Sequence, residues 1–208
     1  MDIYLRRSRW NCCLSNLQKQ QEKVMINYHN IADSIDFYAQ QGYQRIETPW
    51  TVSEYVDDIT RPKDRPHLQL VHNGKCLVAS GEQSFLYLYL KEYLPLGKYQ
   101  TVTPCFRFEP YNLYHEKTFI KNELIITDNV NRDNLDKIIN DAYAFFRSKL
   151  KNINLLKIVK TDIGYDIEYN NIELGSYGIR KNEYLKWIYG TGCAEPRLSK
   201  TQTYFENE

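Results

Sequence analysis

Two apolar runs separated by a short polar segment constrain the fold of this chain more than any other feature. Residues 99–109 and 118–127 each have the length and composition of a β-strand, and the segment between them is typical of a return loop. Side chains two positions apart on a strand face the same side. The side chains that share a face are Arg107 and Glu109 on the first run, and Phe119, Lys121 and Glu123 on the second.

A charged strand face has two interpretations. An ion pair on a solvated strand surface explains Arg107 and Glu109 when they are taken alone. If the two runs form a hairpin, however, their charged side chains and an aromatic ring lie together on one face of the sheet. A guanidinium suits a phosphate through its paired N–H groups, and Phe119 can stack on a base. The loop adds His115 and Lys117 as further phosphate partners.

The remaining patterns predict helices between blocks of strands. Apolar residues recur at helical spacing over 16–41, 81–95 and 133–150. Strands are predicted over 43–48, 155–169, 171–177 and 182–190, a hairpin around Asn73-Gly74 over 68–80, a short helix or irregular connection over 51–66, and a last helix from Cys193. We therefore expect an α+β fold, with a mostly antiparallel mixed sheet flanked by helices.

Composition excludes several classes of protein. The 208 residues carry a net charge of +1, so a strong general attraction to nucleic acid is not expected. No apolar run is long enough to span a membrane, and the first residues lack the apolar segment of a secretion signal, so we expect a cytoplasmic protein. The five cysteines include no CxxC pair, which argues against a disulfide framework and a structural zinc finger.

Two further motifs carry candidate ligand groups. Gly190 and Gly192 precede Arg197, which is typical either of a tight turn into a helix or of a backbone that lets a ligand come close. Glu173 and Ser176 offer two hard oxygen atoms that suit magnesium, although a polar edge strand would also contain them.

In their order along the chain, these segments resemble the signature motifs of class II aminoacyl-tRNA synthetases. The segment 42–50, ending in Pro49, is similar to motif 1; CFRFE with HEKTFIKNE is similar to motif 2; and GTGCAEPR is similar to motif 3. PCFRFE, FIKNE, ELGS and GTGCAEPR resemble most closely the branch of seryl-tRNA synthetases and amino acid:carrier-protein ligases. The resemblance covers about residues 16–205.

The resemblance implies ATP-dependent activation of an amino acid to an aminoacyl-adenylate. Arg107 and Arg197 would be the catalytic residues. The implied ATP-binding residues are Arg107 at the α-phosphate, Glu109 at the adenine amino edge, His115 at the γ-phosphate, and Phe119 and Arg197 on the two faces of the adenine. Glu173 and Ser176 would hold Mg²⁺. Ser80, Glu82 and Glu123 would meet the amino acid, whose ammonium needs a negative pocket.

The acceptor and the assembly are expectations of the same kind. The acceptor would be a tRNA, a carrier-protein thiol or a small molecule, and Pro49 would mark a homodimer interface. We expect residues 1–208 to form a single domain without a tRNA-binding or anticodon-binding module. Some relatives hold zinc through Cys, Glu and Cys; Cys76, Glu109 and Cys193 are candidates here, but buried reduced cysteines are favoured.

Two alternatives stay open at this point. The chain would be a non-catalytic paralogue that binds ATP or an amino acid and regulates a partner, or a catalytic fragment that works with a separate tRNA-binding subunit. Paralogues of the first kind usually lose motif residues, whereas every implied position is chemically intact in this chain.

Overall fold

The computed structural model of the chain describes residues 25–68, 73–108 and 116–205, and its centre is a seven-stranded sheet. The strands are β1 (Gln44–Arg45), β2 (Thr51–Val52), β3 (Cys76–Leu77), β4 (Lys98–Phe106), β5 (Thr118–Ile126), β6 (Leu156–Lys160), β7 (Tyr165–Tyr169), β8 (Ile172–Lys181) and β9 (Lys186–Glu195). The helices are α1 (Tyr28–Gln40), α2 (Glu54–Thr60), α3 (Gly81–Leu90), α4 (Arg132–Lys149) and α5 (Arg197–Phe205), with a 3-10 turn at Ile153–Leu155.

The sheet is mixed but mostly antiparallel. Its strands lie in the order β1-β4-β5-β9-β8-β7-β6, and every pairing in it is antiparallel apart from β1 with β4. Strands β2 and β3 form a separate antiparallel pair. Helices pack on both faces of the large sheet. The predicted α+β fold is confirmed.

The central hairpin is formed by β4 and β5. Phe106 lies opposite Thr118, and the backbone N–H of Arg107 donates to the Lys117 carbonyl at 2.9 Å, so pairing continues past the strand ends. Alternate residues of β5 enter different cores: Leu124 packs with one group of helices and Ile125 with the other. The predicted strand pair is therefore present, and its loop, 109–115, lies outside the described residues.

Helices α1 and α4 cover one face of the sheet. Asn27 and Asn131 cap their N-termini by accepting backbone N–H groups through their side-chain oxygens. Of the predicted helix 16–41, residues 16–24 lie outside the described part, and the observed helix stops at Gln40, just before Gly42 with its φ of +86°. No helix in the described ranges combines the length and apolar character that crossing a membrane would need.

Helices α2 and α3 cover the opposite face. The segment 51–66, predicted to be irregular or briefly helical, contains β2 and α2. Ser80 caps α3, which ends at Leu90 instead of residue 95 because the chain turns at Glu92, where φ is +58°. Part of the predicted hairpin 68–80 lies outside the described residues, but Gly74 has the expected positive φ and the Leu77 N–H donates to the Leu68 carbonyl at 2.8 Å.

The last strand is longer than the sequence predicts. The strand expected over 182–190 begins at Lys186 and continues to Glu195, and the helix expected from Cys193 begins at Arg197. Residues 191–195 favour a turn locally, but they pair with β5, whose Ile120 lies opposite Glu195. Tertiary pairing thus overrides the local turn preference. In the segment 155–169, where strands were predicted, the structure has two antiparallel strands, β6 and β7.

The two glycines of β9 are required by packing on the side of α1 and α4. A Cβ atom at Gly190 would lie 2.7 Å from Ile138 Cδ1 and 2.8 Å from Tyr177 Cδ1. A Cβ atom at Gly192 would lie 2.8 Å from Tyr38 Cε2, and the Tyr38 hydroxyl donates to the Gly192 carbonyl at 3.0 Å. This close packing, rather than the approach of a ligand, accounts for both glycines.

We predict that Gly190→Ala lowers the free energy of unfolding by about 1–3 kcal/mol, because the added methyl overpacks the core. Urea denaturation measures the change. Adding Ile138→Val, which removes the nearest contacting carbon, should recover part of the loss in the double variant. A Gly190→Ala protein as stable as the parent would show that this packing is wrongly described.

Candidate active site

A cavity of about 300 Å³ opens on the sheet face that α2 and α3 cover. Its floor is formed by neighbouring strands of the sheet, and its other wall by the segment 57–68 and the start of α3. The charged side chains that the sheet contributes are Arg107, Lys121, Glu123, Glu173 and Arg180. Residues predicted from separate motifs are therefore brought together around one space.

Arg107 lies at the end of β4 with its charge uncompensated by any carboxylate of the described residues. Its Nε–H donates to the Ala79 carbonyl at 3.2 Å, and its guanidinium lies 5.0 Å from the centre of the Phe119 ring. A cation over an aromatic face is held only moderately. The terminal nitrogens of Arg107 are thus suited to an anion that enters the cavity.

Glu123 is buried on β5 and shares one of its oxygens between two neighbours. The Ser80 hydroxyl donates to Oε2, and Lys121 Nζ lies 2.5 Å from the same atom. Gly81 makes this approach possible, because a Cβ atom there would already lie 3.0 Å from Glu123 Cβ. The other carboxylate oxygen, Oε1, has no hydrogen-bond partner among the described residues, so it remains available to a ligand.

Glu82 is buried in the first turn of α3, and both of its oxygens are engaged. Trp187 Nε1–H donates to Oε1 at 2.6 Å, and Arg180 Nη1 lies 2.5 Å from Oε2. The Arg180 guanidinium also lies 4.2 Å from the centre of the Tyr189 ring. Burial raises the pKa of the Glu82 carboxyl above its ordinary value, although the Arg180 cation opposes the shift.

Glu173 and Ser176 lie on β8 and line the same cavity as Glu82. They are three positions apart, yet both line the cavity, because β8 has one extra residue, Leu174, opposite the pair Ile167 and Glu168 of β7. Arg197 Nη1 donates to Glu173 Oε1 and to the Glu173 carbonyl, each at 3.1 Å. The carboxylate and the hydroxyl form a hard-oxygen set that fits Mg²⁺.

The other predicted site residues fall in different places. Phe119 lies beneath Arg107, and Pro49 precedes β2, where its carbonyl accepts a hydrogen bond from the Ser84 hydroxyl at 2.7 Å. Glu109 and His115 lie outside the described residues, so their ATP-binding roles remain predictions. The dimer role of Pro49 also remains a prediction.

Arg180 and the partner role of Lys121 were not predicted from the sequence. Arg180 lies four positions after Ser176, so the alternation of β8 would have placed both side chains on one face. Lys121 was assigned to the correct face, but its pairing with Glu123 was not anticipated. Cys193 is buried in the core beside α1 and α4, so the candidate Cys-Glu-Cys set, which the sequence did not favour, is not assembled in the cavity from the cysteines of the described residues.

We predict that Arg180→Met destabilises the protein by about 2 kcal/mol at pH 8, because it leaves Glu82 buried without its cation. The cost is below that of a fully buried pair, since 35% of the Arg180 side chain is exposed. Removing Arg180 raises the already elevated pKa of Glu82 further. A carboxyl whose pKa is higher in the folded protein than in the unfolded chain lowers the free energy of unfolding at pH values above its unfolded pKa, which is about 4.3. Chemical denaturation at several pH values should therefore show the penalty shrinking as the pH falls toward 5, and a penalty independent of pH would contradict the assignment.

The sequence matches no protein-family profile and no curated protein. Solved structures do match. One is the cytoplasmic serine-tRNA ligase from Naegleria fowleri in complex with AMP, with a TM-score of 0.63 and 19% identity over 83% of this chain and 47% of that one. Pyrrolysyl-tRNA synthetase from Desulfitobacterium hafniense matches with a TM-score of 0.66 and 16% identity over 96% and 76% of the two chains. Seryl-tRNA synthetase from Pyrococcus horikoshii complexed with ATP matches with a TM-score of 0.62 and 15% identity, over 81% of this chain and 48% of that one.

These comparisons establish the fold of the chain. It spans about half the length of the seryl enzymes and about three quarters of the pyrrolysyl enzyme. At such identities the likeness concerns architecture alone, and it agrees with the order of motifs along the sequence. The chain therefore has the fold of a class II aminoacyl-tRNA synthetase core.

Proposed function

We propose that this chain binds ATP and an amino acid and joins them as an aminoacyl-adenylate, releasing pyrophosphate. The observation that carries the proposal is the polarity of the cavity. The same cavity is lined by Arg107, a cation without a carboxylate partner among the described residues, and by Glu123, whose Oε1 atom accepts no hydrogen bond from them. The phosphate of ATP and the ammonium of an amino acid need this pair of charges.

At the nucleotide end, Arg107 would bind the α-phosphate and Phe119 the adenine. In the structure the guanidinium covers the Phe119 ring. An incoming phosphate binds a guanidinium more strongly than a phenyl ring does, because two charge-assisted hydrogen bonds form. We infer that ATP draws Arg107 off the ring and so uncovers it for the base. Glu109 and His115 are proposed to complete the nucleotide site.

At the amino-acid end, Glu123 is better placed than Glu82 to receive the substrate ammonium. Both oxygens of Glu82 already have protein partners, whereas Oε1 of Glu123 has none among the described residues. The main role proposed for Glu82 is to hold Arg180 and Trp187 in place along the wall of the cavity. Ser80 is proposed to orient the Glu123 carboxylate through its hydrogen bond to Oε2.

Mg²⁺ would be held by Glu173 and Ser176, and it supplies charge neutralisation to the phosphates when bound. Arg197 shares the Glu173 carboxylate, so this arginine is proposed to stay close to the metal and the nucleotide. In the reaction, the substrate carboxylate oxygen attacks the α-phosphorus and the bond to pyrophosphate breaks. Catalysis of such a displacement consists mostly of positioning and charge stabilisation, which Arg107 is placed to provide.

We predict that one of the twenty standard amino acids supports exchange of labelled pyrophosphate into ATP. Arg107→Lys should lower the exchange rate by about 10²–10³-fold, because an ammonium cannot replace the planar pair of donors. Arg45→Lys is the matched control, since Arg45 is on the surface and pairs only with Glu47 in the described structure. Absence of exchange with all twenty amino acids, together with intact ATP binding, would instead favour a non-catalytic paralogue.

We further predict that Glu123→Gln raises the KM for the amino acid by at least about tenfold, because a charged hydrogen bond of roughly 1.5–3 kcal/mol is lost. The KM for ATP should change little. Glu82→Gln is the comparison variant, and its effect should fall mainly on stability. Equal effects of the two variants on the amino-acid KM would contradict the division of roles.

A further inference from the structure

Three side chains of different chemistry meet beside the cavity, outside the machinery described above. They are Asp57 of α2, His67 in the connection that follows it, and Cys76 of β3. Asp57 and Cys76 are buried, and the carboxylate, imidazole and thiol donor atoms all lie within 4.8 Å of one another. Buried groups of this kind need hydrogen-bond, ionic or metal partners.

The three groups converge on a single atom, His67 Nδ1. Asp57 Oδ2 lies 2.7 Å from this nitrogen and Cys76 Sγ lies 3.5 Å from it. A thiol nucleophile with an imidazole base would need its carboxylate on the other ring nitrogen. Burial and nearby carboxylates, Asp57 first among them, also raise the pKa of Cys76 to about 11, so the thiol is not activated.

A metal ion explains the convergence better. Ligands of a metal direct their lone pairs to one point, and a tetrahedral ion with bonds of about 2.0–2.3 Å separates its donor atoms by roughly 3.3–3.8 Å. The Sγ to Nδ1 distance already has this value. The Nδ1 to Oδ2 distance needs to open by about half an ångström once the ion replaces the proton between them.

Two of the three proposed ligands, His67 and Asp57, also have outer partners. His67 Nε2 lies 3.3 Å from Arg61 Nη2 and 3.5 Å from Asp58 Oδ1. With an ion on Nδ1, the proton would lie on Nε2, and Asp58 is the carboxylate to which it would be donated once Arg61 turns away. The other oxygen of Asp57, Oδ1, accepts from Gln83 Nε2 at 2.7 Å. The Gln83 contact fixes the Asp57 carboxylate and leaves its Oδ2 atom directed at His67.

The local charges are compatible with a divalent cation. A thiolate and a carboxylate together balance its two charges. The guanidinium of Arg61 lies nearby, with Nε 3.1 Å from Asp57 Oδ2, but Asp58 provides it with a second counter-ion. Coordination would therefore move Arg61 from Asp57 to Asp58 without leaving an unpaired charge.

We propose that Asp57 Oδ2, His67 Nδ1 and Cys76 Sγ bind a divalent transition-metal ion of the zinc class. The sulfur and nitrogen donors select against Mg²⁺ and Ca²⁺, and a water molecule or a further oxygen would complete four-coordination. The ion would tie β3 and the connection at His67 to α2. Because Asp57 and Gln83 both line the cavity, the ion would fix the wall opposite the sheet.

Co²⁺ titration of the metal-free chain tests the proposal, and it does not depend on any activity. The parent carries Cys12→Ser and Cys13→Ser, so that thiols outside the described residues cannot contribute. We expect one equivalent of Co²⁺ to produce a sulfur-to-cobalt charge-transfer band in the near ultraviolet and the visible bands of a tetrahedral ion. One equivalent of Zn²⁺ should abolish both.

Cys76→Ser should remove the charge-transfer band and weaken metal binding by at least about a hundredfold. Loss of a residue that only supports a ligand already lowers metal affinity by up to about a hundredfold, and loss of a ligand itself should cost no less. Cys105→Ser is the matched control, because Cys105 is also buried but belongs to β4. His67→Gln provides a second variant whose amide reaches the Nε2 position instead of Nδ1, and it should also lose the metal. A parent without the band, or a Cys76→Ser protein that retains it, would overturn the proposal.

Discussion

The contact between the first turn of α3 and strand β5 is the constraint on which the rest of the site depends. Gly81 allows it, since any larger residue would meet Glu123 Cβ at 3.0 Å and Thr101 Cγ2 at 3.1 Å. The helix therefore begins directly on the sheet, and the residues on either side of Gly81 are positioned by it. Ser80 reaches Glu123 on β5, and Glu82 reaches Trp187 on β9.

This contact also explains how so much charge is buried beside a small cavity. Four carboxylates of its walls, Asp57, Glu82, Glu123 and Glu173, each have a cationic partner, and for Glu82 and Glu173 that partner comes from another element of the fold. Buried pairs of this kind add little net stability, because desolvation offsets their attraction. Their value is that they fix what is left for a ligand: the Arg107 cation, which pairs with no carboxylate of the described residues, and the Oε1 atom of Glu123, which accepts no hydrogen bond from them.

The sequence predicted the parts of the site that depend on local alternation. Arg107, Phe119 and Glu123 were assigned to facing strands because a strand has a period of two, and the hairpin is present. The association of Glu173 with Ser176 came from a motif, and its physical cause, the extra residue Leu174 in β8, is a feature of pairing that a single strand does not reveal. The packing that requires Gly190 and Gly192 involves α1 and α4, which are distant in sequence.

Other features could not have been predicted because they join separate segments without a fixed spacing. The pair Glu82 and Arg180 links α3 to β8, and the cluster of Asp57, His67 and Cys76 links α2 to β3. Each depends on how the helices are placed over the sheet. Sequence periodicity assigns a residue to a face of its own element, but it does not specify the opposing element.

A crystal structure of the chain with ATP and Mg²⁺ tests the central claim most directly, since it shows where the nucleotide meets the uncompensated charge. The account predicts the α-phosphate within hydrogen-bond distance of the Arg107 guanidinium, which has moved off the Phe119 ring, and the adenine stacked on that ring. A nucleotide bound elsewhere, or one bound in the cavity with Arg107 still covering Phe119, would contradict it.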